Sequence, residues 1–325
     1  MANNKINTNG PYSTFIEKIK NVITGSIVET LEEIIPLSKV AIYRRLQGTV
    51  LFSLPEAFQI ARKFQISLDE ITFENSNNYL FRVNKPSNLS LEDTYADFIT
   101  FGVSNINDYL DKGEGHLYLA GSGLPIAFAL NYDCLMKFRY FKWLHENRGM
   151  AINQKKFSET VLPQKLYDIS IAFMNQLKHV ESTFILSDAM LGNYLKEINH
   201  FMSLGLFEQP EIELIKETLH ELINEFQIVV ASGRNKNGAN IHVYLTDINI
   251  DSTFGYLDKG KLDFTFSKIF GMNYATSQNK EIFSMYKSAF EDLKDYATLI
   301  TRSSSARRSS FFKEQHRLID EVLSK

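Results

Sequence analysis

The hydrophobic pattern changes period partway along the chain, and that change limits the fold more than any other feature. Up to about Ala231 apolar residues recur three and four apart, as one face of a helix requires. From Ile241 they alternate with polar ones in IHVYLTDINI, STFGYLDKG and KLDFTFSKI, separated by turns that carry Gly or Asp. A helix returns to one face every three or four residues and a strand every two, so one element cannot satisfy both patterns. Helical spacing is expected over about 91–109, 132–146, two further segments and a long run ending near Ala231, with a short strand at 116–120 in GHLYLAG. A helix at about 280–293, a short strand in YATLIT and a basic helix at about 306–323 close the chain. The expected class is mainly α, with an α+β C-terminal domain in which helices are followed by a small antiparallel sheet.

Between Glu74 and Ser90 all periodicity stops: a polar NSNN run, Lys85-Pro86 and Ser87-Asn88 read as a connection between domains. The expected division is 1–75 as a helical bundle, 76–90 as a linker and 91–325 as the larger domain. Within the first part, apolar residues at helical spacing (Phe15, Ile19 and Val22; Ile27, Leu31 and Ile35; Leu54, Phe58 and Ala61) predict short helices. Ser53 with Glu56 and Ser67 with Glu70 predict reciprocal capping boxes at two helix starts.

The most specific stretch is IVETLEEIIPLSKVAIYRRLQG, 27–48. One helix is expected to end near Ile35. A turn of Pro36, Leu37 and the capping Ser38 follows, and a second helix runs to Gln47 before Gly48 stops it. This is a helix-turn-helix pattern. Ile42 and Leu46 are placed to face the core, leaving Lys39, Val40, Tyr43, Arg44 and Gln47 outward. Overall charge gives no hint of an anionic partner, since 35 basic and 38 acidic residues leave a net −3. Locally it does: 36–65 holds five basic residues (Lys39, Arg44, Arg45, Arg62, Lys63) against the single acid Glu56. Such a surface can replace counterions on phosphate and read base edges, Arg44 bidentately on guanine.

Through Ser38-Lys39-Val40-Ala41-Ile42-Tyr43-Arg44 and the closing Gly48, the segment resembles the Cro/C1-like helix-turn-helix class. Over the whole chain, FIEKIK, SKVAIYRRLQG, FQISLDEI, HLYLAGSGLPIAF, MKFRYFKWL and SSSARRSSFF resemble an uncharacterised family of bacterial transcriptional regulators. The resemblance implies an N-terminal Cro/C1-like helix-turn-helix bundle that binds double-stranded DNA, and a large C-terminal domain of unknown role. Ser38, Lys39, Val40, Tyr43, Arg44, Arg45 and Gln47 are the DNA-binding candidates: Lys39, Tyr43 and Arg44 to specify bases, Arg45 and Ser38 to sit on phosphates. Two positions depart from the class. Glu32 stands where it packs a small Ala, and Pro36 where it carries a left-handed Gly, which calls for a remodelled turn or a one-residue shift in the match. Glu29, Glu32 and Glu33 would repel phosphate, so they are expected to face away or to pair with Lys and Arg.

Other chemistry has little support. Seven His are scattered; Glu217 and His220 have an i, i+3 spacing used by di-iron bundles, but no second motif joins them. Ser122 in GSGLP lacks both nucleophile-elbow spacing and a phosphate-loop Lys, so a turn is expected. No catalytic residue, metal or cofactor is assigned. Cys134 is the only cysteine, excluding an internal disulfide and fitting a small buried hydrophobe in a cytoplasmic, soluble protein. The aromatic set around it (Phe128, Tyr132, Phe138, Tyr140, Phe141, Trp143) covers more than one helix face and is expected to pack as core. No stretch is apolar enough to span a membrane. Arg307 and Arg308, beside the start of the last helix, are anion-site candidates. The resulting expectation is a homodimeric DNA-binding regulator with an oligomerising, effector-sensing C-terminal domain and no enzymatic activity. The alternative is a scaffold whose helical head docks a polypeptide while the C-terminal domain takes a small molecule.

Overall fold

A computed structural model describes residues 10–64, 66–72, 79–83, 90–110, 115–147, 155–258, 264–271 and 273–324. The chain divides into two compact units, Met1–Leu80 and Phe81–Lys325.

The smaller unit holds α1 (Pro11–Val22), α2 (Ile27–Glu32), α3 (Lys39–Leu46), α4 (Leu54–Phe64) and α5 (Leu68–Thr72). Each is too short to be stable alone, and each turns one apolar stripe into a shared core that includes Phe15, Ile19, Leu31, Ile35, Ile42 and Ile60. The capping box of α4 forms: Ser53 N–H donates to Glu56 Oε2 at 2.9 Å and Glu56 N–H to Ser53 Oγ at 3.5 Å. The side chain of Glu70, and with it the box expected at Ser67, lies outside the described residues. α2 stops at Glu32 rather than near Ile35. The amides of Ile34 and Ile35 both bond to the Leu31 carbonyl, which tightens the last turn and delivers Ile35 to the core. No described residue between α2 and α3 has a positive φ, so Pro36 is tolerated in a turn that needs no glycine.

The larger unit runs β1 (Arg82–Val83), α6 (Leu91–Leu110), β2 (His116–Gly121), α7 (Ile126–Ala129), α8 (Asp133–Asn147) and α9 (Gln164–Leu177). It continues through β3 (Glu181–Ser187), α10 (Gly192–Ser203), α11 (Gln209–Ser232), β4 (Ile241–Thr246), β5 (Phe254–Asp258) and β6 (Phe264–Phe270). β7 (Asn273–Ser277), α12 (Lys280–Asp295), β8 (Thr298–Leu299) and α13 (Ser305–Leu323) complete it. The strands form one eight-stranded sheet in the order β1-β7-β6-β5-β2-β3-β4-β8.

This overturns the small antiparallel sheet expected from the sequence. β2, β3 and β4 are parallel and central, joined by helical crossovers, while β5, β6, β7 and β1 extend one side antiparallel and β8 closes the other. β4 and β5, adjacent in sequence, are separated in space by β2 and β3, so only β5-β6-β7 is a meander. β3 was hidden because every residue after Glu181 is buried, which gives a continuous apolar run with no alternation. Of the expected linker 76–90, residues 76–78 and 84–89, including Lys85-Pro86 and Ser87-Asn88, lie outside the described residues. Arg82 and Val83 are a strand, in register with Thr276 and Ala275.

Helices cover both faces of the sheet. On one, Phe184, Leu186, Val243 and Leu245 pack beneath α10, α11 and α13. On the other, Ala120, Ile185 and Tyr256 meet Phe283 and Phe290 of α12. α8 is buried on several sides, as its aromatics predict. Phe138 and Phe141 join Tyr194 and Phe201 of α10, while Tyr140 and Trp143 join Tyr95 and Phe98 of α6. Among the described residues no helix is long and apolar enough to cross a membrane.

Candidate nucleic-acid interface

α3 is fixed at both ends. Ser38 caps it, its Oγ accepting the Ala41 amide at 3.4 Å. Gly48, at φ +72°, ends it, and Thr49 Oγ1 donates to the Arg44 carbonyl at 2.8 Å. Tyr12 of α1 ties its last turn to the loop beyond: the hydroxyl donates to the Arg45 carbonyl at 2.9 Å and accepts the Phe52 amide at 3.1 Å. Burial raises the phenol above its usual range. With Ile42 in the core, the opposite face points outward. Val40 is 70% exposed and Tyr43 57%, and Arg44 and Gln47 are exposed with them. The spacing i, i+3, i+4, i+7 makes these four a single stripe along the rod.

The seven candidate residues divide by what they touch. Arg44 is exposed and, among the described residues, forms no ion pair. Arg45 turns inward: Nε lies 2.9 Å from Glu56 Oε2 and Nη2 3.1 Å from Oε1, a bidentate pair with both side chains only 16% exposed. Burial acts to raise the Glu56 carboxyl, but hydrogen bonds from Arg45 and the Ser53 amide outweigh it and hold the group below its ordinary value. Arg45 therefore fastens α3 to the start of α4 instead of facing a phosphate. Lys39 lies 3.6 Å from Glu29 Oε1 and 3.7 Å from Glu32 Oε2, so two of the three acids Glu29, Glu32 and Glu33 are balanced by a candidate reader. Ser38 is engaged as the cap.

The expected anion site in the larger unit is already filled by the protein's own groups. Arg307 reaches Asp188 Oδ2 at 2.6 Å and Asp247 Oδ1 at 2.5 Å, residues that follow the adjacent ends of β3 and β4. Burial raises the Asp188 carboxyl, and the neighbouring Asp247 carboxylate raises it further against the pull of Arg307. Asp247 itself is held low by hydrogen bonds from Arg307 and Asp188. Arg308 donates to the carbonyls of Ile300 and Ser303, both at 2.9 Å, bracing a turn in which Arg302 and Ser304 have positive φ. Two arginines near a helix start are thus a structural clamp.

Other candidates resolve similarly. Ser122 accepts the Ile250 amide at 2.7 Å, pinning the loop after β4 to the one after β2. Burial pushes the Cys134 thiol up to about 11, so it stays protonated near neutrality. His220 does not combine with Glu217. Its Nδ1 lies 2.7 Å from His316 Nδ1 and its Nε2 3.3 Å from Asp320 Oδ1, opposite ring edges that cannot meet one ion. Among the described residues no cluster of three or more His, Cys, Asp or Glu is arranged to hold a metal.

One feature was not foreseen. A cleft of about 680 Å³ lies in the larger unit against one face of the sheet. Its floor takes Ile241, Phe184, Leu119, Leu257, Phe266 and Tyr274, one from each of six neighbouring strands; Phe173, Met174, Leu177, Phe226 and Val229 are among its walls. The aromatic residues Phe128 and Tyr132, expected as core, border it.

No family model, curated protein or solved structure matches the chain.

Proposed function

We propose that the protein is a homodimeric DNA-binding transcriptional regulator. In this reading α2, the turn and α3 form a helix-turn-helix, and residues 81–325 oligomerise and sense an effector. The observation that carries it is the outward stripe of α3. A short rod whose apolar side is locked into the core presents Val40, Tyr43, Arg44 and Gln47 together, a set able to contact a thymine methyl, a sugar-phosphate edge, guanine and adenine in the major groove. Arg44 is the principal reader, because its guanidinium alone among the cations of α3 is free of carboxylates in the described residues. Lys39 contacts DNA only by leaving Glu29 and Glu32, and Arg45 has an indirect role, setting the tilt of the rod. Dimerisation supplies what one small module lacks, since two half-sites about one helical turn apart multiply its contacts.

Selection of fragments from a random DNA pool by the full-length protein tests this reading directly. A recovered sequence motif, lost with Arg44→Ala, is the expected result; unenriched DNA defeats it. A second reading is favoured by α4, where Leu54 is 64% and Phe58 54% exposed four residues apart. That apolar pair suits a polypeptide partner of the small unit. Ionic strength separates the two: DNA affinity falls steeply with salt through counterion release, whereas an apolar helix contact does not.

A further inference from the structure

We propose that the cleft of the larger unit binds a single-chain amphiphile: an extended hydrocarbon chain ended by an uncharged hydrogen-bonding head. The inference goes beyond DNA binding and does not rest on it.

Protein cores close up to leave few voids larger than a water molecule, so hydrocarbon walls held apart around about 680 Å³ are a built shape. Clefts that take small molecules span roughly 300 to 1,000 Å³. This one is long. Its floor crosses from β4 through β3, β2, β5 and β6 to β7, five inter-strand spacings or up to roughly 24 Å. The floor is apolar along that whole length, a shape an extended hydrocarbon chain can follow. A chain lying across the strands can touch all six floor residues at once, which a compact ligand cannot. The floor is also kept flat by a specific device. Gly255 faces the ring of Phe266 across β5 and β6, and a Cβ there would lie 2.6 Å from Phe266 Cζ and against the Tyr118 carbonyl. Any side chain at 255 would press on both the β2 backbone and the Phe266 ring of the floor.

Charged and hydrogen-bonding groups line the rim at the β4 end in two bonded sets. Tyr132 donates to Glu225 Oε2 at 2.8 Å, Lys236 to Glu225 Oε1 at 2.6 Å, and Asn235 to the Lys178 carbonyl at 2.8 Å. Burial acts to raise the Glu225 carboxyl, but the bonds from Lys236 and Tyr132 prevail and keep it ionised. Glu221 adds one negative charge to the rim and Lys178 one positive, so with Glu225 and Lys236 the formal charges cancel. A neutral rim rewards a head that hydrogen-bonds without net charge, while the chain supplies the affinity.

Calorimetric titration of the full-length protein with octanol, decanol and dodecanol tests the proposal. Affinity should rise about fourfold for each added methylene. The alkanoate and alkylammonium of equal length should each bind more weakly than the alcohol. Ala127→Trp and Val229→Trp, which add bulk from two different walls at half-buried positions, should each abolish binding while circular dichroism and unfolding midpoint stay near wild type. Absence of binding, binding without chain-length dependence, tighter binding of either charged homologue, or unchanged binding in a folded variant of either kind overturns it.

Discussion

Two Arg-Arg pairs stand out in the sequence, Arg44-Arg45 on α3 and Arg307-Arg308 on α13, and the fold treats them differently. In the first, one guanidinium is locked to Glu56 and its neighbour is left outward. In the second, both are taken up, by Asp188 and Asp247 and by two carbonyls. Adjacent residues on a helix are about a hundred degrees apart, so a dibasic pair seldom shares one environment. The difference teaches that a basic patch is defined by which cations lack an internal acceptor, and by that standard only the α3 pair offers a binding surface.

The largest expected effect separates the two members of the α3 pair. Arg45→Ala leaves Glu56 half-sealed without its partner and should cost about 2 to 3 kcal/mol of the small unit's stability, read from urea unfolding. Arg44→Ala should leave that stability within about 0.5 kcal/mol of wild type. It should instead lose about 1 to 3 kcal/mol of DNA affinity and relax one operator position, read by titration at fixed salt. Equal stability losses for the two variants would erase the distinction. For the second pair, Arg307→Ala sets two carboxylates against each other, but more than a third of each partner is exposed, so screening limits the loss to about 1 kcal/mol. Adding Asp247→Asn should recover part of it, because the like-charge repulsion goes.

The smallest effect is in pH. Glu56 in the folded state titrates below the ordinary glutamate value of about 4.3. Its contribution is therefore complete above that value and lost as pH falls through the lower folded one. In Arg45→Ala the main lowering influence is gone, and the acid limb of the small unit's unfolding should move to higher pH. An unmoved limb would mean that the Ser53 amide, not the arginine, holds the carboxylate.

Much of the small unit was legible because its information is local. The Ser38 cap, the Ser53-Glu56 box and the outward stripe of α3 all depend on residues within one or two turns. The fate of Arg45 was not, since its partner lies eleven positions on and the local pattern there accounts for Glu56 as a cap. Glu56 does both jobs, a combination visible only once α3 and α4 are packed. In the larger unit the failures have the same origin. β3 carries no alternation because both its faces are covered, and the spatial gap between β4 and β5 is set by crossovers that begin more than a hundred residues earlier, at β2. The cleft is likewise assembled from six strands and several helices, and no short window of the chain contains its outline.

The two-residue strand β1 lies at the end of the sheet and, among the described residues, pairs with β7 alone. Anyone excising the C-terminal portion for separate study should cut ahead of Arg82. A fragment that starts later would uncover the outer edge of β7 beside Ala275 and Thr276, inviting other copies to zip onto it and come out of solution.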